Sequence, residues 1–261
     1  MSNQKKGSSM NNGIIFIVVA AVAVCIYLFV FGNSVNFDAA GHPLPGNYMG
    51  MVYKGGFVVP ILLTLFISMW VFSIERFLAI RKANGGGNTD GFLLSVKASL
   101  VTENTSEAIA KCDKQQGSIA NIMKSGLDKD AAMKSNSSLS KENKMSEIEK
   151  EMEETTALEI PMLQKNLVII STIATVATLA GLIGTVLGMI RSFAALASAG
   201  APDQTALANG ISEALINTAL GISTSFFAIV FYNYFSSAID EITYRIDEAK
   251  FMINQNFAAK N

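Results

Sequence analysis

The chain has 261 residues; half are hydrophobic, only 16% are charged, and the net charge is −1. A soluble domain of this length carries charge at about a quarter of its positions, and the mean hydropathy here is positive. The near-neutral balance gives no basis for a nucleic-acid partner or an acidic substrate. His42 is the single histidine, which excludes histidine clusters and histidine-dependent triads. Cys25 and Cys112 form neither a disulfide framework nor a metal site.

Four apolar stretches account for the low charge. The first, Ile14–Phe31, is free of charge and follows Lys5 and Lys6. A hydrocarbon core of about 30 Å needs roughly 20 helical residues, so this stretch is just long enough to span. A cleaved signal has the same order of features, but its apolar region is usually about 7–15 residues with a small-x-small exit. The exit here, Phe29-Val30-Phe31-Gly32-Asn33-Ser34, favours a retained helix, with a cleaved signal as the alternative. Residues 33–55, with Gly41, Pro43, Pro45 and Gly46, read as an irregular connector. The second stretch, Gly56–Ile74, ends at Glu75-Arg76, with Arg81-Lys82 just beyond.

Residues 83–160 are the one large polar region. They open on the turn signal Asn84-Gly85-Gly86-Gly87-Asn88 and continue into several helical segments. A Ser/Asn/Lys patch at 134–144 reads as a loop. In Lys144–Ile160, Met145, Ile148 and Met152 fall on one helical face. The third stretch, Leu167–Ile190, is ended by Arg191, and a connector with Gly200 and Pro202 follows. The fourth runs from about Gly210 to Phe235. Beyond it, Ile239, Ile242, Ile246, Ala249 and Ile253 make a narrow apolar seam suited to a helical partner.

Basic residues set the orientation. Two precede the first stretch, thirteen lie in 76–166 and three follow 235. Only Lys54 and Arg191 fall on the opposite side. The positive-inside rule therefore places both termini inside.

The last two stretches are too rich in small and polar residues to be plain anchors. Membrane helices pack through small residues that let backbones approach. The third stretch offers Ala177, Gly181, Gly184 and Gly188; the fourth offers Gly210, Ala214, Asn217, Gly221 and Ser225. Ser171, Thr175, Thr178 and Thr185 share one face of the third helix, a polar stripe suited to a lumen or to another helix's polar group. Thr185 lies about 9 Å inward of Arg191, and Thr218 about 12 Å inward of Gly210. The two helices run in opposite directions, so both hydroxyls reach a similar level. Glu213 is the one acid within an apolar segment and is a functional candidate on that ground. Its nearness in depth to Arg191 leaves an ion pair, snorkelling and proton handling all open. No nucleophile–base pair, phosphate loop or metal cluster suggests an enzyme, and no cofactor is expected.

The run Leu182-Ile183-Gly184-Thr185-Val186-Leu187-Gly188-Met189-Ile190-Arg191-Ser192-Phe193 resembles the signature of the ExbB/TolQ/MotA proton-channel family. So do Gly210-Ile211-Ser212-Glu213-Ala214-Leu215, Thr218-Ala219-Leu220-Gly221 and Tyr232-Asn233. The resemblance covers about 56–76 and 167–245 and is closest to ExbB, with TolQ next. The chain departs from it in having Thr178 and Phe227 where the family usually has prolines, and in its first helix.

The resemblance implies an all-α polytopic membrane protein with long helices extending into the cytoplasm, assembled as a homo-oligomeric ring, a pentamer. The resemblance also implies a place in a bacterial inner membrane among lipid, with both termini cytoplasmic. The expected organisation is a cytoplasmic tail (1–12), an extra transmembrane helix (13–32), a periplasmic connector (33–55) and a transmembrane helix (56–74). A cytoplasmic helical region (75–166) follows, then a transmembrane helix (167–190), a periplasmic connector (191–209), a transmembrane helix (210–235) and a cytoplasmic helical tail (236–261). The implied partners are an ExbD-like single-span protein supplying a membrane aspartate and a TonB-like protein. The implied function is to use the proton motive force to energise TonB-dependent outer-membrane transport. A TolQ-like envelope role and a non-conducting scaffold are the alternatives. The implied ion pathway comprises Thr185, Thr218, Glu213, Thr178 and Thr175, with Gly181, Gly184, Gly188 and Gly221 in helix packing.

Overall fold

The computed structural model describes residues 12–39, 41–133, 140–198 and 204–259. The described residues hold the helices α1 (Asn12–Cys25), α2 (Tyr48–Tyr53), α3 (Val58–Ala83), α4 (Thr89–Val101), α5 (Thr105–Gln115), α6 (Gly117–Met133), α7 (Lys141–Gln164), α8 (Leu167–Ser198) and α9 (Gln204–Ala259). A π-helical turn, Ile26–Phe31, continues α1. No β-strand occurs among the described residues, only an isolated bridge between Phe37 and Pro43. Among the described residues, four helical segments are long and apolar enough to cross a membrane. The protein is thus an all-α, multi-pass membrane protein.

Two compact units are formed, one from Met1–Ser73 with Ile169–Tyr232, the other from Ile74–Val168 with Asn233–Asn261. In the first, α1 is apolar on every side and buries Val19 and Ala23. Ala23, Val59 and Leu63 form a small core, with Tyr27, Phe31, Val52, Ile67 and Leu220 packed against it. Phe16 and Phe72 meet at 5.5 Å between ring centroids. Tyr27 stacks on Tyr53 at 4.8 Å and donates its hydroxyl to the Tyr53 carbonyl at 3.1 Å.

The connector after the first span is more ordered than its composition suggests. Asn36 is buried and donates from Nδ2 to the carbonyls of Val30 (2.7 Å) and Phe31 (3.1 Å), at the end of the π-helical turn. Helix ends leave such carbonyls without intrahelical partners. Asn47 donates to Asn36 Oδ1 at 3.0 Å, and its own Oδ1 caps α2 by accepting from the Gly50 amide at 3.1 Å. Two asparagines thereby fold a segment that lacks any hydrophobic period.

The third apolar stretch also differs from its sequence reading. Helix α8 runs beyond Arg191 to Ser198, because Ala194, Ala195 and Ala197 are strong helix formers and nothing breaks the helix at the arginine. Gly200 and Pro202 lie outside the described residues. Both α8 and α9 pass without interruption through Thr178 and Phe227, the two positions at which the resemblance leads one to expect proline.

In the second unit, side-chain caps start the helices: Asn88 accepts from Gly91, Asn104 from Glu107 and Ser140 from Asn143. Helix α7 begins at Lys141, so the loop expected over 134–144 ends no later than Ser140; residues 134–139 are not among those described. Ile122, Met123, Leu127, Ile148 and Met152 are almost fully buried. Gly126 lets α6 approach α7, since a Cβ there would stand 2.7 Å from Met152 Cγ. The seam Ile239, Ile242, Ile246, Ala249 and Ile253 is buried throughout.

Arg76 closes the end of α7. It is 2% exposed and donates from Nη1 to the carbonyls of Met162 (3.2 Å) and Leu163 (3.0 Å). Its other nitrogens engage Glu75, which also accepts from Asn166 Nδ2 at 3.1 Å. Asn166 has φ +66°, a left-handed conformation that asparagine tolerates better than most residues.

Candidate ion pathway in the helical hairpin

Glycine sets how closely α8 and α9 approach. A Cβ on Gly221 would lie 2.6 Å from the Ala177 carbonyl oxygen and 2.9 Å from Gly181 Cα. A Cβ on Gly181 would lie 2.9 Å from the Asn217 carbonyl, and one on Gly188 would lie 2.8 Å from the Gly210 carbonyl. Gly184 faces the Asn217 side chain instead. Backbone thus meets backbone at several levels, as membrane helices require when hydrophobic drive is missing.

This close approach brings Thr185 and Thr218 together. Both are half-buried, and their hydroxyls are in hydrogen-bonding contact. Both also reach the Ala214 carbonyl oxygen, Thr218 at 3.1 Å and Thr185 at 3.4 Å, while Thr185 lies 3.1 Å from the Gly181 carbonyl as well. Each hydroxyl has one proton to donate. The pair is therefore a neutral site that can pass a proton or accept a hydrogen bond without adding charge.

The rest of the expected stripe lies elsewhere. Ser171, Thr175 and Thr178 line a groove of about 450 Å³ with Ala174, Leu179, Ile229 and Tyr232; Thr185 is not among its walls. Thr175 lies 3.4 Å from the Ser171 carbonyl, the one-turn-back bond common for membrane hydroxyls.

Glu213 is 8% exposed. Arg191 donates to it from Nη1 to Oε1 at 2.5 Å, so the two form an ion pair. Asn217, one turn further along α9, is fully buried and donates from Nδ2 to the Gly55 carbonyl at 2.8 Å. Its Oδ1 has no hydrogen-bond partner among the described residues. By sequence, Asn217 belongs only with the small residues of the packing face. The overlooked signal was an amide at i+4 from the single acid of an apolar helix. Among the described residues no group of three or more His, Cys, Asp or Glu is placed to hold a metal ion.

Residues 114–248 match the MotA/TolQ/ExbB proton channel family, just over half of the chain. The chain belongs to this family. The match begins at the end of α5 and takes in α6 and α7, which the motif resemblance had left aside, while α4 and the 56–76 segment lie outside it. An ExbB homolog named for biopolymer transport, from Methanothermobacter thermautotrophicus, is 27% identical over 213 residues, covering 82% of this chain and 71% of its own length. An ExbB-like protein of Synechocystis sp. is 37% identical over 88 residues, covering 33% of this chain and 42% of its own length. The likeness to ExbB homologs rests on these two, and membership of a channel family on the profile match.

Proposed function

We propose that this protein is an inner-membrane proton-channel and motor subunit that works with an ExbD-like single-span protein to energise TonB-dependent outer-membrane transport. The observation that carries the reading is the Thr185–Thr218 contact, a pair of hydroxyls from two helices on one carbonyl. Such a pair can relay a proton but cannot store one. The protonatable group comes from the partner, whose membrane aspartate faces the hydroxyls in a homo-oligomeric ring of five subunits. Weak neutral sites let an ion leave, whereas a ring of carboxylates would trap it. Thr175 and Thr178 lie apart from this pair, in a groove along α8. The spans cross an inner membrane with both termini cytoplasmic, as the distribution of lysine and arginine favours.

Proton flux in vesicles containing the chain and its ExbD-like partner tests this reading. Thr185→Ala and Thr218→Val should each abolish flux while the assembled complex is still recovered. Full flux in both variants would leave the hydroxyl pair as packing only. In that case the glycine face supports the second reading, a non-conducting scaffold in which Gly184→Leu is damaging and the threonines are silent. Complementation of uptake against complementation of envelope integrity separates the TonB role from a TolQ-like one.

A further inference from the structure

Arg191 and Glu213 do more than neutralise each other. The Arg191 guanidinium also lies over Phe57, with Cζ 5.5 Å from the ring centroid. Gly56 has φ +76°, and a Cβ there would stand 2.5 Å from Glu213 Oε1. The carboxylate therefore occupies space that any side chain at position 56 would fill. Asn217, at i+4 from Glu213, grips the same turn through the Gly55 carbonyl. Three segments converge: α8 through Arg191, two turns before its end, the outer part of α9 through Glu213 and Asn217, and the turn leading into α3 through Gly55–Phe57. A group that carries an ion must part from its counter-charge in every cycle and be reached by the next carrier. Glu213 is instead enclosed, with a cation on Oε1 and backbone against it.

We propose that Arg191 is a positioning residue that pins Glu213 as the fixed anchor of this clamp, and that Glu213 carries no ion. The clamp lies just over one turn from Thr218 on α9, so it sets the register in which Thr218 meets Thr185. The consequence for flux rests on the channel reading above; the clamp itself does not.

The test uses the full-length chain co-assembled with an ExbD-like partner in proteoliposomes. Flux is measured per folded complex, and thermal melting is followed in the same preparations. Arg191→Gln and Glu213→Gln should each reduce flux about tenfold, the factor expected for losing a charge-assisted hydrogen bond. The double variant should be no worse than either single. Arg191→Lys should keep flux near wild type, and the exchange Arg191→Glu with Glu213→Arg should recover most of it. The proposal is overturned if Glu213→Gln abolishes flux while Arg191→Gln leaves it intact. It is also overturned if the exchanged pair melts like wild type yet stays inactive. If wild type itself passes no protons, the channel reading fails and melting decides the clamp: non-additive losses in the single and double variants sustain it, and additive losses refute it.

Discussion

Thr185 and Thr218 converge on one acceptor, the Ala214 carbonyl oxygen, at 3.4 and 3.1 Å, with their own hydroxyls in contact. That carbonyl belongs to the helix that carries Thr218, so Thr185 is the member that crosses between helices. The two positions are therefore unequal in what their loss does.

Thr185→Ala removes two contacts to α9, with Thr218 and with the Ala214 carbonyl, whereas Thr218→Ala removes one contact to α8, with Thr185, and a bond within α9. A double-mutant cycle on the purified protein should give a coupling of roughly 0.6 kcal/mol, the average for hydrogen bonds between membrane helices. Chemical unfolding in detergent measures it. A coupling of zero would mean that the hydroxyls do not share a proton in the folded chain.

Gly221→Ala should destabilise the hairpin by roughly 1–3 kcal/mol, the usual range for overpacking. Its new methyl meets the Ala177 carbonyl and the Gly181 backbone, neither of which can swing aside. Gly41→Ala, with no atom within 4 Å of its Cβ, would report only the strain of its positive φ. Melting of both variants in the same detergent separates close packing from backbone conformation.

Arg76→Leu leaves the Met162 and Leu163 carbonyls and part of Glu75 without their donor. The expected loss is roughly 1–3 kcal/mol, the cost of leaving buried acceptors without their donor, since the Glu75 carboxylate left behind is 44% exposed to solvent. Arg76→Lys should recover only part of it, because an ammonium lacks the planar fork that serves several acceptors at once. Proteolysis at the α7–α8 junction gives a second readout, and unchanged protection in Arg76→Leu would refute this role.

Cys112 is 2% exposed, and burial, aided by Asp113, pushes its thiol from the ordinary 9.0 up to about 12. The folded state thus favours the protonated thiol. The associated stability is complete below pH 9 and is lost as pH rises toward 12. At neutral pH a water-soluble maleimide should label Cys112 at least tenfold more slowly than in the denatured chain, since the thiolate is the reacting form. Equal rates would mean that the helix pair around it opens freely.

The parts of this architecture that depend on period were legible in the sequence. The seam from Ile239 to Ile253 repeats at helical spacing, and each of its members is buried. The likeness in level of Thr185 and Thr218 followed from counting along two antiparallel helices. What escaped depends on partners far away in the chain. Arg76 reads as a membrane-exit anchor, yet it serves carbonyls 86 and 87 residues on. Asn36 reads as loop composition, although its amide closes the end of the first span. The stripe from Ser171 to Thr185 appears continuous on a helical wheel. A wheel knows nothing of α9, which takes Thr185 into its own contact and leaves the other three along a groove.

The glycine contacts between α8 and α9 also restrict motion. Sliding one helix past the other by a turn would bring Asn217 or Ser225 to the level where Gly221 now lets backbones touch Ala177 and Gly181. No side chain fits there, so the hairpin is denied a piston stroke. Any mechanical work done through these helices is confined to swinging or rolling them as a single lever, with its two hydroxyls held at one height throughout.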